Sequence, residues 1–193
     1  MTKRENNGGF TLIELLVVIS IIGVLSGIVL SSLNSARQKS RDTIRKAQLT
    51  ELRTALEHYY SDHGYYPATP VGTFYSSETG EPAPNGPNNN GDWIPGLVAG
   101  GYISALPKDP IGGMPSLCSS NVPPWKRSYL YLETTGNHYK LLSHCAAETG
   151  MSANDPFYDG ARPGWAWQVT DDISATNSGC LPGQLPPTTP NCW

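Results

Sequence analysis

One uninterrupted apolar run, from Phe10 to Leu33, constrains this chain more than any other feature of its sequence. The run has 24 residues and contains a single charged residue, Glu14. As an α-helix it would extend roughly 36 Å, which is longer than the ~30 Å hydrocarbon core of a bilayer. We therefore expect residues 10–33 to form a membrane-inserted helix that carries a water-soluble head.

The leader before this run, residues 1–9, differs from an ordinary secretory signal. A secretory signal has an apolar core of ~7–15 residues followed by a small-residue cleavage site. Here the apolar core is longer, and the small residues Gly8 and Gly9 stand before it. Cleavage at this point would remove the polar leader and leave the apolar helix on the mature protein.

The string Gly9-Phe10-Thr11-Leu12-Ile13-Glu14 resembles the processing motif of type IV pilins and of the pseudopilins of type II secretion systems. The resemblance implies that an inner-membrane prepilin peptidase cuts after Gly9 and N-methylates Phe10. It also implies that Glu14 pairs with the α-amino group of Phe10 in a neighbouring subunit and so sets the register of a filament. A carboxylate in an apolar helix costs ~2.5–3.5 kcal/mol unless it is paired, although Glu14 at the membrane surface would avoid this cost.

The helix is expected to continue through residues 34–62, which contain neither Pro nor Gly. An apolar stripe at helical spacing runs along this half, with Ile44 and Ala55 close by. The stripe consists of Leu49, Leu52, Leu56 and Tyr59. The opposite face is predicted to hold Arg45, Lys46, Glu51, Arg53 and Glu57. This half is therefore amphipathic and has one side available for the core of the head.

The head, residues 63–193, is predicted to contain a small antiparallel sheet. Alternating patterns predict strands at Ser128–Glu133, His138–Cys145 and Trp165–Val169, whereas residues 63–92 read as a long exposed loop. Residues 93–113 are predicted to pack a short segment on the helix through Leu97, Val98, Tyr102, Ile103 and Leu106. The expected fold is α+β and similar to a type IV pilin. Gly101 to Ile103 with Leu106 to Pro110 resembles the stretch before the sheet in the G-type pseudopilin.

All four cysteines lie in the C-terminal half and are expected to form two disulfides in an exported head. They make no C-x-x-C pair, and no His stands at zinc-finger spacing. Four cysteines allow three connectivities. We favour Cys118–Cys145 with Cys180–Cys192, because each pair closes a short local loop.

No metal ion or other cofactor is expected. The calcium loop of related pseudopilins is built on a Ser-x-Gly-x-Asp-Gly string, which this sequence lacks. Four aspartates in the head have no spacing that matches such a loop; they are Asp155, Asp159, Asp171 and Asp172.

Five cations cluster in the helix just beyond the apolar run: Arg37, Lys39, Arg41, Arg45 and Lys46. They lie on several helix faces beside Asp42, so we expect them to pair with acids or anionic lipid, and we predict no specific nucleic-acid partner. These five cations outnumber Lys3 and Arg4 of the leader, so the positive-inside rule taken by itself would keep the head in the cytoplasm. The cysteines and the cleavage motif argue for export, and they outweigh this distribution of positive charge.

The sequence contains no P-loop, G-x-S-x-G or H-E-x-x-H motif, and no catalytic role is expected. Three functions remain open. The long loop and the expected disulfides favour a subunit of a surface type IV pilus. The G-type match favours a secretion pseudopilin. A plain membrane-anchored binding protein would require the cleavage motif to be accidental. We prefer the pilus subunit. The resemblance implies as partners other copies of the chain, prepilin peptidase, an assembly platform with its ATPase, and the inner membrane.

Overall fold

The computed structural model describes residues 11–69, 74–78, 92–112, 127–134, 138–160 and 166–171. The chain divides into two compact units, residues 1–39 and residues 40–193, which are described separately. The elements in chain order are α1 (Leu12–His63), β1 (Tyr75–Ser76), β2 (Ser128–Thr134), β3 (His138–His144) and β4 (Trp167–Thr170).

In the first unit, residues 15–30 of the helix are predominantly apolar on all sides, and their side chains are exposed. The exposed fraction of its large apolar residues runs from 41% at Leu33 to 88% at Leu12. Among the described residues, α1 is the one helix whose length and composition would allow it to cross a membrane.

In the second unit, the helix buries the stripe that its spacing predicts. Leu49, Leu52 and Leu56 are fully buried, and Ala55 is nearly so. The prediction for Ile44 was wrong, because its side chain is 43% exposed and lies off the row that the three leucines form. The helix ends at His63. Gly64, which follows it, has a φ of 76° and donates from its backbone N–H to the carbonyl of Tyr60 at 2.7 Å.

The head contains a four-stranded antiparallel sheet in the order β1-β2-β3-β4. The side chains of one sheet face form a common core with the helix leucines; they are Tyr129, Tyr131, Tyr139, Leu141, Trp167 and Val169. The sequence therefore predicted the architecture correctly, as a pilin-like α+β fold in which the helix packs on an antiparallel sheet. The two central strands agree with their predicted bounds to one residue, and β4 begins two residues later than predicted.

The first strand lies where the sequence predicted a long exposed loop, so that prediction was wrong at this point. In β1, Tyr75 is buried and pairs with Tyr131, and Ser76 pairs with Leu130. A strand of two residues is too short to show an alternating pattern, which explains why sequence periodicity did not reveal it.

The segment between β1 and β2 also contributes side chains to the core, and it does so from turns. Trp93, Ile94, Leu97, Ile103 and Leu106 are all buried, and residues 95–101 form consecutive turns without a regular helix or strand.

Gly96 illustrates how tightly these turns approach the helix. Its φ is 84°, and a Cβ at this position would lie 3.3 Å from a ring carbon of Tyr59. We expect Gly96→Ala to lower the free energy of unfolding by about 1–3 kcal/mol, since a side chain rarely adopts this backbone conformation. Chemical unfolding of the detergent-solubilised full chain measures the effect. Gly150→Ala is the matched control, because Gly150 has a negative φ and open space around it; equal losses in the two variants would contradict this reading.

Candidate functional site

The start of α1 is closed by reciprocal hydrogen bonds between Thr11 and Glu14. The backbone N–H of Thr11 donates to Glu14 Oε2 at 2.8 Å, and its hydroxyl donates to the same oxygen at 2.6 Å. In return, the N–H of Glu14 donates to Thr11 Oγ1 at 3.3 Å. This is a capping box, in which both residues satisfy donors that the first helical turn leaves unpaired.

The cap places the carboxylate of Glu14 beside the first turn, close in sequence to the predicted cleavage point. Gly9 and Phe10 lie outside the described residues, so their processing and the pairing of Phe10 with Glu14 stay predictions. Thr11 has no role among the expectations drawn from the sequence. The T-x-x-E spacing before an apolar run was the signal that would have revealed the cap.

Beyond the cap, the first unit offers an apolar surface with open space around its glycines. A Cβ added at Gly23 or at Gly27 would have nothing within 4 Å. Small residues at this spacing allow another helix to approach closely. An apolar surface of this size needs lipid or other apolar helices to cover it.

In the second unit, a buried cluster of charges surrounds Arg45, whose side chain is fully buried. Arg45 Nε donates to Asp109 Oδ2 at 2.6 Å, and Nη2 donates to Asp109 Oδ1 at 3.0 Å. Its Nη1 donates to Asp42 Oδ1 and to Glu148 Oε1, both at 2.8 Å. This guanidinium thus joins a carboxylate of its own helix to one from the segment before β2 and one from the segment after β3.

The predicted position of Arg45 on the polar face was wrong. Arg45, Leu49, Leu52 and Leu56 recur at i, i+4, i+7 and i+11, which places them on one side of a helix. Extending the leucine stripe by one turn would have revealed this. Asp109, which belongs to the G-type stretch noted above, supplies the bidentate partner.

Glu148 and Asp42 complete the cluster and attach the segment after β3 to the helix. Glu148 accepts hydrogen bonds from Arg41 and Arg45, and Arg127 Nη1 lies 3.2 Å from its Oε1. Asp42 Oδ2 accepts hydrogen bonds from the backbone N–H of Glu148 at 3.1 Å and from that of Thr149 at 2.8 Å. The Asp42 carboxylate thus anchors the segment after β3 by accepting hydrogen bonds from the backbone of that segment.

The arginines of the cluster control the ionisation of Glu148. Burial raises the pKa of this carboxyl, but the hydrogen bonds from Arg41 and Arg45 outweigh burial and lower the pKa to about 2. Burial also lowers the pKa of Arg45, and the hydrogen bonds to Asp109, Glu148 and Asp42 raise it above its ordinary value.

This lowered pKa predicts acid sensitivity. The stabilisation from Glu148 is complete above its unfolded pKa of 4.5 and is lost as the pH falls towards 2, because the unfolded chain binds the proton first. We expect the free energy of unfolding of the full chain in detergent to fall by about 3 kcal/mol over this range through Glu148 alone. Unfolding curves at successive pH values measure the change. Glu148→Gln should flatten the profile, and an equally steep profile in that variant would contradict the assignment.

Lys46 also pairs with an acid, as the sequence analysis expected for the basic cluster. Its Nζ lies 2.5 Å from Asp155 Oδ2 and 3.9 Å from the centre of a Trp167 ring. Burial raises the pKa of Asp155, but its hydrogen bond from Lys46 outweighs this and leaves the pKa below its ordinary value. With Arg41 and Arg45, three of the five cations are thus paired with carboxylates.

The structure describes only one of the four cysteines that are predicted to form disulfides. Cys145 is disulfide-bonded and has a φ of 55°. Cys118, Cys180 and Cys192 lie outside the described residues, so the pairing stays a prediction. The part of the chain that the structure describes holds no group of three His, Cys, Asp or Glu residues that could bind a metal ion.

Comparisons with known proteins identify one matching family and several similar proteins. Residues 4–30 match the family described as "Prokaryotic N-terminal methylation motif". The chain is 32% identical over 112 residues to the type II secretion system core protein G of Pseudomonas aeruginosa. This match covers 57% of this chain and 72% of that relative. The proteins of the same name from Vibrio cholerae and Escherichia coli K12 are 33% and 34% identical, each over 58% of this chain, and the matches cover 70% and 72% of them. No solved structure matches this chain.

Proposed function

Since this chain belongs to the family of the type II secretion system core protein G, we propose that it polymerises into the pseudopilus of such a system. The pseudopilus is a short periplasmic filament that drives folded proteins out of the cell. The chain is a pilin-like structural subunit and not an enzyme, in agreement with its family. The exposed apolar half of α1 carries the proposal, because it needs other copies or lipid to cover it.

The comparisons favour this function over the surface pilus, which was the preferred prediction from the sequence alone. The long loop and the expected disulfides supported a surface filament only indirectly. The relatives reported above are type II secretion proteins, each matched over 57–58% of this chain. The G-type stretch ending in Pro110 was therefore the better indicator.

The maturation steps form part of the proposal. Prepilin peptidase removes residues 1–9, and Phe10 becomes the N-methylated first residue. The head lies on the periplasmic side, while residues 10–33 anchor the subunit in the inner membrane until the platform and its ATPase extract it. Glu14 then exchanges its intramolecular partner Thr11 for the α-amino group of Phe10 on a neighbouring subunit.

A deletion in the native cells tests the choice between the two functions. Loss of the chain is expected to trap secreted proteins in the periplasm and to leave surface pili unchanged, as measured by enzyme assays of the medium and by electron microscopy. Restoring the gene should restore secretion. Loss of surface pili with normal secretion would favour the pilus subunit and contradict the proposal.

A further inference from the structure

Two exposed and oppositely charged side chains lie on opposite flanks of the buried stripe of α1. Arg53 and Asp62 are both exposed, and within the described residues neither belongs to an ion pair. Relative to the fully buried Leu52, Arg53 lies about 100° to one side of the helix axis and Asp62 about 80° to the other. The soluble half of α1 therefore offers a cation on one flank and a carboxylate on the other.

A cluster of aromatic side chains adjoins Asp62 at the end of α1. The rings of Tyr59 and His63 stack with their centres 4.1 Å apart. Tyr65 and Tyr102 each contact both of these rings edge to face, at 5.3–6.1 Å between centres. The hydroxyl of Tyr102 donates to Asp62 Oδ2 at 2.8 Å, and Tyr65 is 48% exposed. We call these four rings and the carboxylate the aromatic patch.

Three features of the aromatic patch attract a cation. The faces of the tyrosine rings carry negative partial charge. Asp62 adds a carboxylate, and the last turn of α1, which ends at His63, is the negative end of the helix dipole. A planar guanidinium can stack on a ring and pair with a carboxylate at the same time, whereas an ammonium acts as a point charge. The patch therefore fits an arginine side chain better than a lysine side chain.

The chain itself offers such an arginine to a neighbouring copy. The structure describes four arginines in the second unit, and Arg53 is the exposed one. A contact between opposite flanks of two copies is heterologous, and a heterologous contact can repeat without closing, as a filament requires. The charges of the two flanks are also complementary.

The direction of this contact agrees with the pairing proposed for the N-terminus. There, Glu14 of one copy meets Phe10 of a neighbour, which stands earlier in the chain. Here, Asp62 of one copy would meet Arg53 of a neighbour, which also stands earlier in the chain. Both contacts therefore shift the neighbour in the same direction when the helices run parallel.

We propose that Arg53 of one copy binds the aromatic patch of the next copy in the filament. Its guanidinium pairs with Asp62 and stacks on the exposed ring of Tyr65. The inference rests on the proposed function, because it assigns a contact between copies of a polymerising subunit. It adds a second contact, made by the soluble half of α1, to the pairing of Glu14.

A charge exchange tests the pair in native cells that carry only the variant chain. Arg53→Asp and Asp62→Arg are each expected to lower secretion at least about 10-fold, because like charges then face each other. The double variant should restore secretion to within about threefold of the wild type, since the two charges have only exchanged sides. Wild-type secretion by both single variants, or no recovery in the double variant, would overturn the proposal.

Lys108 provides the matched control, because it is an exposed cation of the head that lies outside α1. Combining Lys108→Asp with Asp62→Arg gives the same net charge as the exchange, and it should not restore secretion. Equal recovery with Lys108→Asp would show that only the overall charge matters and would contradict the pair.

Cross-linking tests the contact independently of secretion. A chain with both Arg53→Cys and Asp62→Cys is produced beside the wild-type chain in native cells, which are then treated with a short bismaleimide. Immunoblots should show dimers and higher multimers of this chain, and neither single substitution should give them. Dimers from Arg53→Cys alone would place the same flank on both sides of the contact and refute the proposal.

The cross-linking result is separable from the test of the proposed function. Absence of multimers in cells whose secretion requires the chain would overturn this contact alone and leave the proposed function standing. Multimers in cells whose secretion does not require the chain would support the contact and contradict the pseudopilus.

Discussion

Arg45→Met is expected to lower the free energy of unfolding of the head by about 3–5 kcal/mol, because it leaves buried carboxylates without their shared cation. Met replaces the length of the side chain but none of its hydrogen bonds. Asp109 loses both of its bonds to Arg45, and Asp42 and Glu148 lose one each. Two of these carboxylates, Asp42 and Asp109, are only 3% and 6% exposed, so water replaces little of the loss.

Chemical unfolding of the detergent-solubilised full chain, followed by tryptophan fluorescence, measures this change. Arg53→Met is the matched control, since Arg53 is exposed on the same helix. It should change the free energy of unfolding by less than about 0.5 kcal/mol. Combining Arg45→Met with Asp109→Asn should cost less than the sum of the two changes, because the residues are in contact. A loss below about 1 kcal/mol for Arg45→Met would show that the cluster contributes little to stability.

Gly9→Ala is expected to abolish removal of the leader and, with it, secretion by cells that carry only this variant. The resemblance implies that the peptidase requires Gly before the cut, and the uncut leader keeps charged residues in front of the apolar helix. Immunoblotting for the size of the chain and assays of secreted enzymes measure both effects. Gly8→Ala is the matched control and should be processed normally. Normal processing of Gly9→Ala would contradict the assigned cleavage site.

Glu14→Ala separates processing from assembly. The leader should be removed as in the wild type, but the pseudopilus should not assemble, because no carboxylate remains to pair with the α-amino group of Phe10. Thr11→Ala removes the hydroxyl that bonds Glu14 and keeps the carboxylate. Normal secretion by Glu14→Ala in the absence of wild-type subunit would remove the register argument.

The sequence predicted the parts of this fold that depend on regular patterns. The apolar run and the leucine stripe gave the helix, and alternation gave β2 and β3 to within a residue. Patterns could not reveal β1, whose two residues are held by pairing with Tyr131 and Leu130 from a distant part of the chain.

Long-range contacts also explain what the sequence missed in the site. Arg45 was assigned to the polar face by its charge. Two of the three carboxylates that stabilise it when buried, Asp109 and Glu148, lie 64 and 103 residues away in the chain. The capping box of Thr11 and Glu14, in contrast, could have been predicted from the local T-x-x-E spacing. The residues of the cleavage motif were predicted from resemblance, and fold physics alone would not identify a peptidase site.

N-terminal peptide mass spectrometry of the chain from native cells tests the central claim most directly. Membrane and sheared surface fractions are compared for the first residue of the chain, its methylation and its abundance. A processed pseudopilin predicts a peptide that begins with N-methylated Phe10, present in the membrane fraction and scarce in the sheared fraction. A chain that still begins at Met1 while secretion proceeds, or a methylated peptide abundant in sheared surface filaments, would contradict it.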